Sequence, residues 1–388
     1  MPVFGSVPRS GPAGAHGSGP VPRVVLAGAH GHGRGHLENL ARLHAAGRVR
    51  FTGVADPRPL CAEERALAGD VAWAPDLHTL LAAENPDVVV ICTPVHTHTD
   101  LAEAAMRAGA DVLLEKPVAP TLAEFDHLLS VQRETGRIVQ VGFQANASGA
   151  VTALRDRIAA GELGEIRAIG AAGLWWRGEA YWHRAAWAGR RRLAGREVND
   201  GALTNPFAHA IAAALLLDGS GAEPVRRVEL DAYRTRAAES HDTASVRIRT
   251  ARGTLVTVAA TLCAEPETEP VVTVYGSRDS VALHYTRDLL VSGGPGPLAD
   301  SARFSRTDLL ENLLDHLAGT AELLVPLAGC LAFTQVVEAV RLSPDPLPVP
   351  QDDLTDLIDL TRRAAAGGNL YSELGADWAR ATPFTWSS

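Results

Sequence analysis

Between Arg23 and Gln144, short apolar runs alternate with helical patterns, and few folds accommodate that alternation. The runs are RVVLAG, RFTGVAD, DVVVICTP, ADVLLEKP and RIVQVGFQ; among the segments between them are HLENLARLHAAG, LAEAAMRAGA and TLAEFDHLLSVQRETG. Parallel strands need a long crossover, usually a helix, and a strand covered on both faces reads as an almost unbroken apolar run, as DVVVICTP does. The pattern predicts βαβ units in a doubly wound parallel sheet of Rossmann type, an α/β architecture.

The first strand ends in LAGAHGHGRGH, Leu26 to His36, which offers two chemistries. His30, His32 and His36 have spacing suited to a metal. Gly28, Gly31, Gly33 and Gly35 suit a phosphate cradle. Position favours phosphate, because the segment follows a strand and opens a helix, where backbone N–H groups and the positive helix end meet pyrophosphate. Read as G-x-G-x-x-G, its positions are Gly28, His30 and Gly33, with His30 in a glycine's place and Gly31 beside it giving room. Asp56 in GVADPRP is the acidic residue expected to take the ribose hydroxyls. Its charge favours NAD over NADP, while Arg58, two residues on, leaves NADP open. No carboxylate or cysteine adjoins these histidines in the sequence, so no metal is assigned, and one or both of His32 and His36 read as solvent-facing.

After about residue 145 the pattern changes. RVELDAYRTR alternates strictly, and SVRIRT, TLVTVAATL, VVTVYG and SVALHY follow closely, with Arg252-Gly253 as a hairpin turn. This predicts a mostly antiparallel open sheet with one solvated face. Helices are expected near 203–217, 307–318 and 330–343, and over DDLTDLIDLTRRAAAG after the Pro-spaced SPDPLPVP. The expected organisation is a disordered extension at 1–22, a dinucleotide-binding domain at 23–145 and an α+β substrate-binding and oligomerisation domain at 146–388.

A net charge of −9 supplies no basic field for nucleic acid or an anionic membrane. Four scattered cysteines suit neither a disulfide framework nor a cysteine zinc site, and they point to a reducing cytoplasm. No apolar run approaches the roughly 20 residues that span a bilayer.

Three further stretches carry chemistry: CTPVHTH (Cys92–His98), LLEKP (Leu113–Pro117) and NDGALTNPFAHAIAAALLL (Asn199–Leu217). The first two close strands, at the edge where open α/β sheets bind ligands. Lys116 there is a poor packing residue, since a buried ammonium is costly unless paired or functional. On the residues alone, His209 among Ala208, Ile211 and Leu215 reads as a core histidine. Trp175, Trp176, Trp182 and Trp187 crowd with Tyr181 into thirteen residues. They suit either a sugar platform or ordinary packing. Arg190, Arg191, Arg192 and Arg196 follow, either to meet an acidic substrate or to form a solvated loop.

With the glycine loop, these stretches resemble the Gfo/Idh/MocA oxidoreductases, the glucose–fructose oxidoreductase and inositol dehydrogenase group, over nearly all of the chain from about residue 23. The resemblance implies hydride transfer between nicotinamide and a secondary alcohol or ketone of a sugar, cyclitol or related derivative. It implies Lys116 and His209 at the reacting oxygen. It places Gly28, His30, Gly31, Gly33, Asp56, Arg58, Thr93, Pro94, His98, Glu115 and Gln144 around NAD, with Trp176, Tyr181 and Arg190 toward substrate. It also implies a homo-oligomer, dimer or tetramer, built on the exposed sheet face. The family has an aspartate four residues before the histidine; here that position is Asn205. An amide orients an imidazole but cannot stabilise imidazolium by charge, which shifts proton transfer toward Lys116 or brings in another partner such as Asp200. Two competing readings stand beside this one: a non-catalytic dinucleotide sensor, and a redox-neutral enzyme that oxidises its sugar only transiently.

Overall fold

The computed structural model describes residues 20–293, 300–379 and 382–387. Most of the expected N-terminal extension therefore lies outside the described residues. The first sheet holds β1 (Arg23–Ala27), β2 (Arg50–Ala55), β3 (Ala72–Ala74), β4 (Val88–Ile91), β5 (Asp111–Leu114) and β6 (Val139–Val141). Its order is β3-β2-β1-β4-β5-β6 with every neighbour parallel, the doubly wound arrangement expected. Helices α1 (Gly33–Ala45), α2 (Ala62–Ala68), α3 (Leu77–Glu84), α4 (His98–Arg107) and α5 (Leu122–Thr135) make the crossovers. Leu37, Leu40 and Leu43 form the buried stripe of α1. Strand β3 is too short for a periodicity to mark it.

The second sheet is larger and mixed. After α6 (Gly149–Ala159) come β7 (Ile166–Trp176), α7 (Glu179–Trp182), a small hairpin of β8 (Arg192–Leu193) and β9 (Arg196–Glu197), and α8 (Ala208–Asp218). Then follow β10 (Arg227–Arg234), β11 (Thr243–Arg249), β12 (Leu255–Thr261), β13 (Cys263–Gly276), β14 (Ser280–His284), β15 (Leu289–Ser292) and β16 (Asp300–Arg303). Pairing runs β16-β15-β14-β13-β7-β12-β11-β10, antiparallel except for β7 with β12. The expected alternation holds in β10 only in part: Val228 and Leu230 are buried on one face, but Asp231 and Tyr233 are buried on the other.

Helices α9 (Leu309–Leu317) and α10 (Leu331–Leu342) return the chain to the first sheet. Gln140 of β6 donates to Asn312 Oδ1 at 2.5 Å and accepts from Val325 N at 2.9 Å. Asn39 of α1 donates to Asp308 at 3.1 Å. These contacts fasten α9 and the loop after it to β6 and α1 of the first domain.

The expectation of a second face left wholly to solvent is corrected over the central strands, while β14 and β15 keep alternating half-exposed residues. Strand neighbours point to opposite faces. On β7, Gly173 and Trp175 meet Phe207 just before α8, so Gly170 lies on the other face. There α11 (Leu357–Gly367) crosses it, burying Leu357, Leu360, Ala364 and Ala365. Tyr371 and Trp378 continue the cover onto Tyr233 of β10, their ring centroids 6.3 and 5.2 Å from its own. The tail ends in a short strand, Phe384–Trp386, antiparallel to β10. The chain's own C-terminal segment thus covers this face over β7, β12 and β10, and that tail docks on the body.

The crossing depends on a bare backbone. A Cβ at Gly170 would lie 2.2 Å from the Ala365 carbonyl oxygen. Gly170→Ala should therefore lift α11, costing about 1–3 kcal/mol as overpacking does. Thermal unfolding and limited proteolysis after residue 350 measure it; an unchanged melting temperature and cleavage pattern would refute the contact.

Candidate active site

The glycine segment folds by close approach. Gly28 (φ +87°) donates to Ala55 O at 2.8 Å, and a Cβ there would lie 2.3 Å from Cys92 O. A Cβ at Gly33 would lie 2.1 Å from Gly28 O. Gly31 (φ +63°) faces open space, with nothing within 4 Å of a Cβ. Helix α1 begins with no capping side chain and no acidic residue in its first turn. Its positive end is therefore not compensated by any acid of its own first turn. This cradle fits a pyrophosphate.

His30 does not fill the cradle. Its Nδ1 pairs with Glu64 Oε1 at 2.8 Å, and its Nε2 lies 3.4 Å from the Arg58 carbonyl. Asp56 closes β2 and accepts from Ala29 N at 3.0 Å and Arg58 N at 2.9 Å, tying the glycine loop to the next turn. The Arg58 side chain is exposed.

Glu115, at the end of β5, is buried, and four groups converge on it. His36 Nε2 lies at 2.9 Å, His32 Nε2 at 3.4 Å, Gln144 Nε2 at 2.6 Å and Lys116 N at 3.1 Å. Burial opposes its ionisation, but the hydrogen bonds from His32 and His36 prevail and hold the carboxyl well below the usual range. The hydrogen bond to Glu115 in turn raises His32. Neither histidine is an idle helix-start residue, although His32 remains largely exposed. The fold also brings Cys92 beside them, so the carboxylate and cysteine missing locally in the sequence arrive from two strand ends.

Lys116 is joined to Pro117 by a cis peptide. Its Nζ donates to Asn205 Oδ1 at 2.7 Å and Asn205 O at 3.1 Å. Asn205 Nδ2 donates to Asp200 Oδ1 at 2.6 Å. Asp200 accepts from Arg184 at 2.9 Å and Gly189 N at 2.7 Å. The carboxylate that the asparagine lacks thus stands one hydrogen bond further on. Burial pulls Lys116 down from its ordinary value, while the Glu115 and Asp200 charges oppose the fall.

His209 enters on the first turn of α8, against Phe143 and Tyr285 with ring centroids at 5.7 and 6.4 Å. Its Nδ1 is buried without a protein partner. Burial, then the Lys116 charge, push its pKa down to about 3. It is a neutral imidazole with a free polar atom.

Several assignments change. Trp175, not Trp176, lies on the α8 side, stacked on Phe207 at 4.7 Å. Trp176 points through the sheet the other way, with Arg236 5.5 Å from its ring. Arg190 is exposed and reaches only Glu239, at 3.9 Å. Arg184 takes the inner place, its guanidinium 3.7 Å over Tyr181 and 4.5 Å over Trp187. His98 is buried with its ring nitrogens 2.8 Å from the Thr93 and Pro117 carbonyls, so it braces two loops rather than facing a ligand. Thr93 accepts from Thr97, and Pro94 opens the short turn before α4. Asp200, expected as an alternative partner of His209, pairs instead with Asn205 Nδ2, and no sequence signal singled out Arg184.

Residues 22–143 match the oxidoreductase family profile described as GFO_IDH_MocA, NAD-binding Rossmann fold, and residues 151–282 match its GFO/IDH/MocA C-terminal domain. The chain belongs to the Gfo/Idh/MocA family. Inositol 2-dehydrogenase of Rhizobium meliloti (strain 1021) is 36% identical over 123 residues, 31% of this chain and 36% of that protein. The match therefore spans about a third of that relative's length. The WlbA dehydrogenase of Bordetella pertussis, solved with NADH and UDP-GlcNAcA, superposes with a TM-score of 0.68 at 22% identity, covering 84% of this chain and 98% of that one. A super-repressor mutant of Gal80p from Saccharomyces cerevisiae gives 0.65 at 15%, covering 82% and 94%. These likenesses establish the fold. Among the described residues, no helix is long and apolar enough to cross a membrane.

The histidine environment is directly measurable. In an NMR pH titration His209 should stay neutral down to about 3. Lys116→Met should raise that pKa, because one of its causes is removed, yet leave it below 6.5, because burial remains. A His209 that titrates near 6.5 in the native protein would contradict the site as described.

Proposed function

We propose that the protein is an NAD-dependent oxidoreductase acting on a secondary alcohol or ketone of a sugar, cyclitol or related derivative. One observation carries the reading: the half-buried Lys116 ammonium at a strand end, 2.7 Å from Asn205 Oδ1, four residues before a neutral His209 with a free ring nitrogen. When bound, the nicotinamide accepts or supplies the hydride. The chain positions the carbinol and moves the proton.

In oxidation, neutral Lys116 takes the hydroxyl proton as the carbinol C–H pair leaves. In reduction, its ammonium returns a proton to the carbonyl oxygen. His209 donates or accepts one hydrogen bond at the same oxygen without becoming imidazolium, which its site disfavours. The Asp200 charge, relayed through Asn205, favours the ammonium. The Tyr181, Trp187 and Arg184 wall ends the same hydrogen-bonded chain and offers an aromatic, cationic face to a sugar ring. Asp56 at the end of β2 favours NAD, since a carboxylate repels a 2′-phosphate. The match to named inositol dehydrogenases and the fold likeness to a sugar-nucleotide dehydrogenase support this substrate class.

A thermal-shift series with NAD, NADH, NADP and NADPH tests the cofactor. Saturating NAD or NADH should raise the melting temperature by mass action, and Gly33→Ala should abolish the shift. No shift with any of the four, in nucleotide-free protein, would sink the reading. In a polyol and sugar screen with NAD, Lys116→Met should lower kcat/KM about 10²–10⁴-fold, as loss of a general acid–base group does. Product analysis separates net oxidation from a redox-neutral reaction.

The proton relay has its own signature. Oxidation should rise with pH through the Lys116 pKa, below 10.5. Asp200→Asn removes a charge that raises this pKa, so the rise should move to lower pH. A profile that falls in rate without moving on the pH axis would make Asp200 merely structural.

A further inference from the structure

The sequence posed metal against phosphate at LAGAHGHGRGH, and the fold brings the two chemistries to one place. His32 precedes α1 and His36 lies one turn on, so both imidazoles share a helix face. Cys92 follows β4 and Glu115 follows β5, and these neighbouring strand ends are joined by Glu115 N to Ile91 O at 2.9 Å. One ligand atom from each of His32, His36 and Cys92 lies within 4.8 Å of the others. Glu115 Oε1 is 2.9 Å from His36 Nε2 and 3.4 Å from His32 Nε2.

We propose that His32, His36, Cys92 and Glu115 form a binding site for a divalent transition metal of the zinc class. Tetrahedral zinc with nitrogen, oxygen and sulfur ligands needs donor atoms about 3.3–3.7 Å apart; the two imidazole nitrogens stand 2.9 and 3.4 Å from Glu115 Oε1, while the thiol, within 4.8 Å of a ligand atom on each histidine, must close the remaining gap. Two imidazoles, a thiol and a carboxylate select zinc or cobalt over magnesium or calcium. The outer ring of contacts exists already. Gln144 Nε2 and Lys116 N hold the Glu115 carboxylate from two sides, at 2.6 and 3.1 Å, as metal-ligating carboxylates are held. His36 and Glu115 are 12% and 5% exposed, while His32 at 69% leaves an entry path. Binding releases the Cys92 proton and any carried by the imidazoles, so it strengthens as pH rises.

The site also overlaps the dinucleotide cradle. A Cβ at Gly33 would lie 3.9 Å from Cys92 Sγ, which puts the thiol directly beneath the start of α1. A bound ion there would clamp the helix start against two strand ends, where a pyrophosphate would meet it. Metal and dinucleotide then exclude one another; this consequence rests on the dinucleotide reading above, whereas the metal site does not.

Cobalt(II) titration of the metal-free full chain tests the site. One equivalent should bind with intense visible ligand-field bands and a near-ultraviolet thiolate-to-cobalt band, and zinc should displace it. Cys92→Ser should abolish the charge-transfer band, and Cys61→Ser, at an exposed cysteine, should retain it. His32→Ala, at a largely exposed side chain, tests the site without touching the core and should weaken cobalt binding at least 10-fold. No stoichiometric binding at micromolar cobalt, or a thiolate band that survives Cys92→Ser, overturns the proposal. In the wild-type protein, NADH that displaces cobalt supports the overlap; NADH that binds while the cobalt bands stay unchanged overturns the overlap alone.

Discussion

The close approach of Gly33 to the Gly28 carbonyl is the constraint from which the site follows. No side chain fits between them: a Cβ at Gly33 would stand 2.1 Å from that oxygen. The pinch sets the distance of α1 from β1, and the companion contact of Gly28 with Cys92 O sets its distance from β4. Once these are fixed, His32 and His36 must hang over the end of β5. Glu115 is then buried beneath them and can remain ionised only because it is hydrogen-bonded. The carboxylate in turn orients Gln144 and the backbone of Lys116. Packing between two glycines therefore propagates through one buried charge to the lysine.

A second chain of contacts runs from that lysine outward. Lys116, Asn205, Asp200 and Arg184 are linked by hydrogen bonds of 2.7, 2.6 and 2.9 Å. Charges alternate along it, ammonium, neutral amide, carboxylate, guanidinium, so each ion faces a compensating partner either directly or through one amide. An aspartate at 205 would place its anion against the ammonium and pair with it outright. The asparagine instead spaces the two charges. Asp200 is the buried member, so removing a partner of its carboxylate leaves a buried charge uncompensated and should act on both stability and proton affinity.

The architecture was legible because it is written in periodicity. Continuous apolar runs gave the parallel strands, strict alternation in RVELDAYR gave β10, and glycine after a strand gave the cradle. Lys116 and His209 were legible through their motifs. What was not legible is what comes from distance in the fold. Trp175 and Trp176 are adjacent, and only the register of β7 against α8 says which one faces Phe207. Arg184 and Arg190 sit in one basic loop, and the Asp200 carboxylate decides between them. The alternating sheet gave no sign that α11 would cover its second face, because that cover hinges on Gly170, and a lone glycine in a strand carries no partner's name.

The same limit explains the histidines. Metal sites are usually recognised by ligands spaced along one segment, and here only His32 and His36 are. Cys92 and Glu115 lie 56 and 79 residues after His36, yet in a parallel sheet every strand delivers its last residue to the same edge. The edge that gathers backbone N–H groups for a phosphate also gathers whatever side chains close the strands. In this chain they are a thiol and a carboxylate, set against two imidazoles on the helix that opens above them. A glycine cradle and a set of metal ligands are then consequences of one topology, and which of them is occupied becomes a question of concentrations and pH.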